Sequence, residues 1–244
     1  MEPLRTQGIV IRAVSAGENG RMLTVLSGDE GKISVWGRGL GSMKHPSRSA
    51  TAPFSLSEFV LNPKGDVYSL SSASLVRSFY NLSSSVEKLS LANYFCSLSE
   101  AVLSDSSCAP CVLKLLLNSL HFLEGDLKEF YDLWLMFEIK ALEAAGATPN
   151  LEECVLCAGE SSLRINVPAG GSVCKEHAAG STLVSRESFA IMKKYINAPL
   201  SVALSRKEED TESVKKAIGI TGRFIEEHIS KIKSRDYLKK IVRM

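Results

Sequence analysis

Cys154-Val155-Leu156-Cys157 and Cys174-Lys175-Glu176-His177 face each other across sixteen residues of Gly- and Ser-containing sequence. A Cys-x-x-Cys turn aims two sulfurs at one ion without strain. A second pair at the same spacing closes the other two corners of a tetrahedron. Cys154, Cys157, Cys174 and His177 are therefore the expected ligands of one zinc ion per chain. Four protein ligands leave no position for water, so the expected site is structural rather than catalytic. The spacer carries Gly159, Pro168, Gly170 and Gly171 but no long apolar run. Such a loop buries no core of its own and needs a staple. The competing readings are a disulfide, or four groups that never meet.

On either side of this stretch the period of the sequence is helical. Ser83-Ser84-Ser85-Val86-Glu87 offers N-cap residues for a helix reaching Leu103, and Pro110 suits the first turn of another that runs to Leu123. Asp126 is placed to cap a third, whose Leu127, Phe130, Trp134, Phe137, Ala141 and Leu142 form a stripe. Leu133, Leu135, Met136 and Ile139 cover much of its remaining surface, which puts it in the middle of a bundle. Gly146 and Pro149 end it. Glu138 lies on the apolar stripe, either as a buried functional acid or, as the cost of burying charge favours, as a core carboxylate satisfied by a partner. Beyond residue 180, Ser185 starts a helix to about Tyr195, and Arg206-Lys207-Glu208-Glu209-Asp210 is a charged turn. Thr211 to Lys233 reads as one long amphipathic helix, followed by a basic tail that includes Lys233 and Arg235.

The first eighty residues carry strand signals instead. Gln7–Val14, Arg21–Leu26, Lys32–Trp36, a strand from Phe54 to Leu61 and Val67–Leu75 alternate or are β-branched, with turn residues between them. The apolar phase changes near Glu58, which predicts a bulge. Five short strands without a helix predict an oligonucleotide-binding (OB) barrel, with an SH3-like barrel as runner-up. Between Gly31 and Ser57 there is no acidic residue, whereas Lys32, Arg38, Lys44 and Arg48 are basic. A flexible basic loop of this kind suits phosphate contact. Lys32, Arg38, Lys44, Arg48, Lys233 and Arg235 are the candidate nucleic-acid contacts, the last two forming a second region. Trp36 reads as a core residue, with stacking on a base as the alternative.

The expected architecture is α+β and multi-domain: an OB barrel at residues 1–80, a helical domain from residues 81–150 and 180–244, and an inserted zinc-finger module at residues 151–179. With 45% apolar and 23% charged residues the chain is not disordered. No apolar run is long enough for a membrane span, and Met1-Glu2-Pro3-Leu4-Arg5 is not a signal peptide. Six cysteines without an export signal point to a reducing cytoplasm. A net charge of +2 decides nothing about partners; its distribution does. The glycines at 37, 39 and 41 are not a dinucleotide fingerprint, and Gly31-Lys32 is not a phosphate-binding loop. Cys108-Ala109-Pro110-Cys111 opens a helix as a redox pair would, which keeps a zinc-containing thiol oxidoreductase as an alternative.

In this order of parts the chain resembles the bacterial recombination mediator RecO family. The resemblance rests on Gly8-Ile9-Val10-Ile11-Arg12, Gly17-Glu18, Arg21-Met22-Leu23-Thr24 and Gly31-Lys32 near the start. It continues through Phe137-Glu138, Leu142, Gly146, Pro149, Leu151, Cys154, Cys157, Gly170-Gly171 and Cys174, and closes on Lys233-Ser234-Arg235-Asp236-Tyr237-Leu238. His177 stands where many members have a fourth Cys. The resemblance implies a non-enzymatic, nucleoid-associated mediator of DNA repair. It would bind and anneal single-stranded DNA without ATP. It would act with RecR and with the C-terminal tail of single-strand binding protein, and help load RecA. A nucleic-acid scaffold without annealing activity is the remaining alternative.

Overall fold

Alternation builds the N-terminal strands. In a computed structural model of the chain, which describes residues 2–103, 108–125, 130–200, 202 and 210–244, five strands close into a barrel in the order β1-β2-β3-β5-β4. They are β1 (Leu4–Ser15), β2 (Arg21–Ser27), β3 (Gly31–Gly37), β4 (Ser55–Lys64) and β5 (Val67–Ser78). All pairings are antiparallel except β3 with β5, where Val35 and Trp36 lie beside Tyr68 and Ser69. That closure is the OB topology and removes the SH3-like alternative. Val10, Leu23, Val25, Ile33, Val35, Phe59 and Leu61 fill the interior. The phase change expected near Glu58 is not in β4, where Ser55, Ser57, Phe59 and Leu61 face inward without interruption. The bulges lie on β5, where the pairing skips Val76 opposite Leu56 and Ser57, and Ser71 opposite Val60 and Leu61.

The loop expected between Gly37 and Arg48 is not loose: residues 38–54 are folded against the barrel, and β4 starts at Ser55 rather than at Phe54. Leu40 is fully buried among the interior side chains, and Ser47, Ala50 and Thr51 are buried with it. Gly37 is required for this: a Cβ there would lie 2.1 Å from Leu40 Cδ1. The backbone N–H of Ala73 donates to Ser47 Oγ at 3.3 Å, so the segment covers the edge of β5 that β3 leaves unpaired.

Two compact units part between Glu124 and Gly125. The first holds the barrel together with α1 (Val86–Val102) and α2 (Ala109–Leu123), so these helices group with the strands rather than with the later helices. Ser85 caps α1 by accepting from the Lys88 N–H, and Pro110 occupies the first turn of α2. The second unit contains α3 (Phe130–Ala144), α4 (Arg186–Asn197), α5 (Thr211–His228) and α6 (Lys233–Ile241), with α3 and α4 both packed on α5. A three-stranded sheet, β6 (Arg164–Asn166), β7 (Gly171–Val173) and β8 (Thr182–Leu183), carries the Cys-rich stretch. Asp126 and Leu127, and Arg206 to Glu209 of the charged turn, lie outside the described residues.

The helix expected from Thr211 to Lys233 stops at His228, and the expected basic tail is itself a helix starting at Lys233. At Ile229 the backbone leaves the helix (φ −119°, ψ −79°), and the N–H groups of Ile229 and Ser230 both turn back to the Ile225 carbonyl. No described helix is long and apolar enough to cross a membrane.

Candidate metal centre and nucleic-acid interface

The β6–β7 hairpin turns through Gly170 (φ 87°) and delivers Cys174 immediately after β7. Asn150 bridges Gly171, where a Cβ would lie 2.2 Å from the Asn150 carbonyl oxygen, and Val155 N–H donates to the Ser172 carbonyl at 3.0 Å. These bonds bring the first knuckle against the second. The ligand atoms of Cys154, Cys157, Cys174 and His177 all lie within 4.8 Å of one another. Cys157 Sγ is 3.9 Å from Cys174 Sγ, while His177 Nδ1 is 3.7 Å from Cys154 Sγ and 3.2 Å from Cys174 Sγ. Tetrahedral bonding at ordinary metal–sulfur and metal–nitrogen lengths demands edges of about 3.8 Å between sulfurs and about 3.5 Å from sulfur to nitrogen. The four side chains therefore fit one tetrahedral ion, and none of the cysteines is in a disulfide.

Electrostatics prepare the same site. Burial opposes ionisation of Cys154, but N–H groups of Cys174, Leu156 and Cys157 donate to its sulfur and bring the thiol down to about 6. Hydrogen bonding to Cys174 and then Cys154 raises His177, as expected of an imidazole between anionic sulfurs. Cys157 moves the other way: the Gly159 N–H favours its thiolate, but hydrogen bonding with Cys154 and Cys174 together with burial outweighs this and raises the thiol.

The six basic candidates do not form one site. Arg38 and Lys44 are exposed and Arg48 is half-buried, all on the segment that leaves the barrel after β3. Lys32 sits at the far end of that strand, six residues and about 20 Å from Arg38. Its ammonium is 3.8 Å from Glu100, which also binds Arg12 at 3.1 Å. The loops at the Arg38 end meet: Gly41 N–H donates to the Asn19 carbonyl at 3.1 Å, and Arg21, Trp36 and Lys64 stand beside them on paired strands. Among the described residues, Arg21, Arg38, Lys44, Arg48 and Lys64 are in no ion pair, whereas Arg12, Lys32 and Arg77 are. Arg5 and Lys114 of the same unit are exposed and in no ion pair either, so the loop-end group is a large part of the unit's unpaired positive charge but not all of it. Arg21 and Lys64 are members the sequence reading missed; the turn residues flanking both were the available signal.

Trp36 is not a core residue. Ile33 and Val35 point inward, and Trp36 follows on the opposite face, half-buried. Lys233 is exposed at the start of α6, but Arg235 is buried. Arg235 Nε donates to Glu138 Oε1 at 2.7 Å, and its Nη2 donates to Glu138 Oε2 at 3.3 Å and to the Ile218 carbonyl at 2.6 Å. Trp134 Nε1 and the Thr221 hydroxyl also donate to the Glu138 carboxylate. Arg235 therefore has no phosphate-binding role; its charge is consumed within the fold. Glu138 is the partner-satisfied core carboxylate that its apolar stripe suggested. Cys108 precedes α2 and Cys111 is exposed on its first turn, and among the described residues no strand leads into that helix. A strand–helix redox centre is not what surrounds the pair.

The fold is thus a closed barrel of OB topology, with Arg21, Arg38, Lys44 and Lys64 at its loop end, joined to a helical unit whose knuckle pair has the geometry of metal ligands. Comparison with known proteins makes this particular. Residues 1–79 match the family model described as recombination protein O N terminal, and residues 83–236 match recombination protein O C terminal. The chain belongs to the RecO family of DNA repair proteins, which is a family of mediators and not of catalysts. It is 28% identical over 251 residues to the DNA repair protein RecO of Acetivibrio thermocellus, covering 100% of this chain and 99% of that protein. The RecO proteins of Caldicellulosiruptor bescii (32% over 178 residues, 72% of each chain) and Alkaliphilus metalliredigens (31% over 175 residues, 71% of each) are also similar.

Proposed function

We propose that this chain binds single-stranded DNA at the loop end of its barrel and anneals complementary strands by binding energy alone. With RecR it would help load RecA onto DNA coated by single-strand binding protein. The observation that carries the reading is the cluster of Arg21, Arg38, Lys44, Arg48 and Lys64 without carboxylate partners, in a chain whose sequence holds no nucleotide-hydrolysis loop. Neutralising phosphates releases counterions, and a shallow barrel face leaves bases accessible for pairing. Lys233 is a second candidate contact, and Lys32 is a weaker one because Glu100 shares its charge. The chemistry would take place in the bacterial cytoplasm, at the nucleoid.

Reversing charge at Arg38, Lys44 and Arg48 together should weaken single-strand binding and flatten its salt dependence. Each lost contact removes about 0.7 from the slope of log K against log salt. Fluorescence titration at several salt concentrations reads this directly. An unchanged slope would move the interface away from the barrel.

We assign zinc to the Cys154, Cys157, Cys174 and His177 cluster, because three sulfurs and one imidazole in a tetrahedron suit that borderline-soft ion. Bound there, zinc would cross-link the two knuckles and perform no step of annealing.

For the partner tail we propose the groove between β8 and α5, lined by Leu183, Val184 and Ile220 and rimmed by Lys216 and Arg223. Such a groove suits a short apolar segment carrying acidic residues. Leu183 is exposed, so Leu183→Glu should fold normally while closing the groove to an acidic tail. Annealing of strands coated by single-strand binding protein, measured without ATP, should fall severalfold, and annealing of naked strands should not. Deleting the coating protein's C-terminal tail should have the same selective effect. Equal loss on both substrates would reject the groove, and absence of annealing on either would leave a scaffold.

A further inference from the structure

Trp36 sits in an unusual place for the larger of the barrel's aromatic side chains. The cross-strand register puts it in one row with Met22 on β2 and Val14 on β1, and beside Ser69 on β5. Leu23 and Val35, one residue away on the same strands, fill the interior, so this row is the outer face of the sheet. Val14 is 49% exposed and Met22 and Trp36 are half-buried, which makes a narrow apolar strip on this outer face. Lys64, at the end of β4, reaches across the start of β5 and holds its ammonium 4.8 Å from the centre of the indole ring. The strip runs into the end of the barrel where Arg21, Arg38 and Lys44 gather.

We infer that Trp36 is a stacking platform for an unpaired base, and that Lys64 lies over its ring in the free protein and moves to a phosphate when the base arrives. The inference rests on the single-strand reading above and adds what the strand's bases do. An indole face attracts a cation and a base by the same surface, so the two compete for it. The exchange costs little. The exposed cation–π contact is worth less than a stacked base, and the displaced ammonium gains a phosphate partner. A duplex presents no unstacked base face, so the platform favours single strands over double ones while the surrounding cations contact either. Phosphate contact alone would not require an aromatic ring on this face.

The chain has two tryptophans, and Trp134 is fully buried in the second unit, so Trp36 alone reports on a ligand at the barrel face. Oligothymidylate titrated into the full chain should quench the tryptophan emission. A strand of the same length in which the nucleotides are abasic should bind with the same salt slope, on the order of tenfold more weakly, and without quenching. Trp36→Leu should bind oligothymidylate on the order of tenfold more weakly, the range expected for one stacked base, and should no longer distinguish it from the abasic strand. Its salt slope should stay that of the wild type. Lys64→Met should instead keep the quenching and lose about 0.7 of the salt slope, one phosphate contact. Salt-dependent binding of the wild type without quenching, or equal affinity for the two strands, would overturn the platform and leave the single-strand reading standing. No salt-dependent binding at all would overturn both. Circular dichroism of Trp36→Leu separates a folding defect from a binding one, and the abasic comparison within the wild type needs no variant.

Discussion

Cys174→Ser should be purified without stoichiometric zinc, and its second unit should lose order around the knuckles while the barrel stays folded. Cys174 follows β7 directly and is the ligand nearest His177, at 3.2 Å, and removing it opens three of the six edges of the tetrahedron at once. The module has little else to hold it. Its sheet strands are two or three residues long, and its buried apolar side chains are few, chiefly Leu151, Ile165 and Val173. Structural zinc in small knuckle modules is worth about 10–16 kcal/mol of binding free energy near neutral pH, and that energy is coupled to folding. Loss of one of four ligands is therefore a large effect on a weak local core. Hydrogen exchange should show protection lost across residues 150–183 and retained in β1 to β5. Wild-type zinc should leave as the pH is lowered below about 5, because protons compete for the sulfurs and the imidazole, and a chelator at neutral pH should reproduce that change. Cys108→Ser should keep its zinc. Careful metal analysis that finds none in the wild type, or a full equivalent in Cys174→Ser, would end the assignment.

The knuckles were legible because metal geometry fixes ligand spacing within a few residues. The barrel was legible for a similar local reason: alternation records which face of a strand is wet, and the same phase that sends Ile33 and Val35 inward sends Trp36 out. Reading Trp36 as core followed the general preference of tryptophan for burial and ignored that phase. Leu40 was harder, since a single apolar residue in a Gly- and Ser-containing run gives no period, and only Gly37 beside it hints that a side chain needs room. The helix break at Ile229 has no local signal, for Ile229-Ser230-Lys231-Ile232 contains neither Gly nor Pro. Its cause is tertiary, because Arg235 must reach a carboxylate 97 residues earlier in the chain. A basic tail read from composition becomes one buried guanidinium and several surface lysines once that pairing is made.

Glu138→Ala should destabilise the second unit by about 3–5 kcal/mol, because it leaves the Arg235 guanidinium buried without a counter-charge. A domain has only about 5–15 kcal/mol in all, so the loss should appear as a large shift in urea midpoint. Arg235→Ala should cost a similar amount for the mirror reason, and high salt should change either difference little, since a buried pair is poorly screened. Gly222→Ala tests the same contact from the third side. In an ordinary helix interior that change stabilises by up to about 1 kcal/mol. Here a Cβ would lie 2.0 Å from Arg235 Cζ, so the guanidinium must leave its cradle between α5 and α3 and abandon Glu138. The cost of the broken pair outweighs the gain in propensity, and Gly222→Ala should be destabilising. In the double variant Gly222→Ala with Arg235→Met the guanidinium is gone and the Cβ has more room, but the buried Glu138 carboxylate loses its counter-charge and keeps only neutral donors such as Trp134 and Thr221, so stability should not recover. Adding Glu138→Leu should restore much of it, because replacing a buried pair by apolar groups of similar volume is often close to neutral. A Glu138→Ala protein with the wild-type urea midpoint would show that α6 is held by Leu238 packing alone and that the ion pair is incidental.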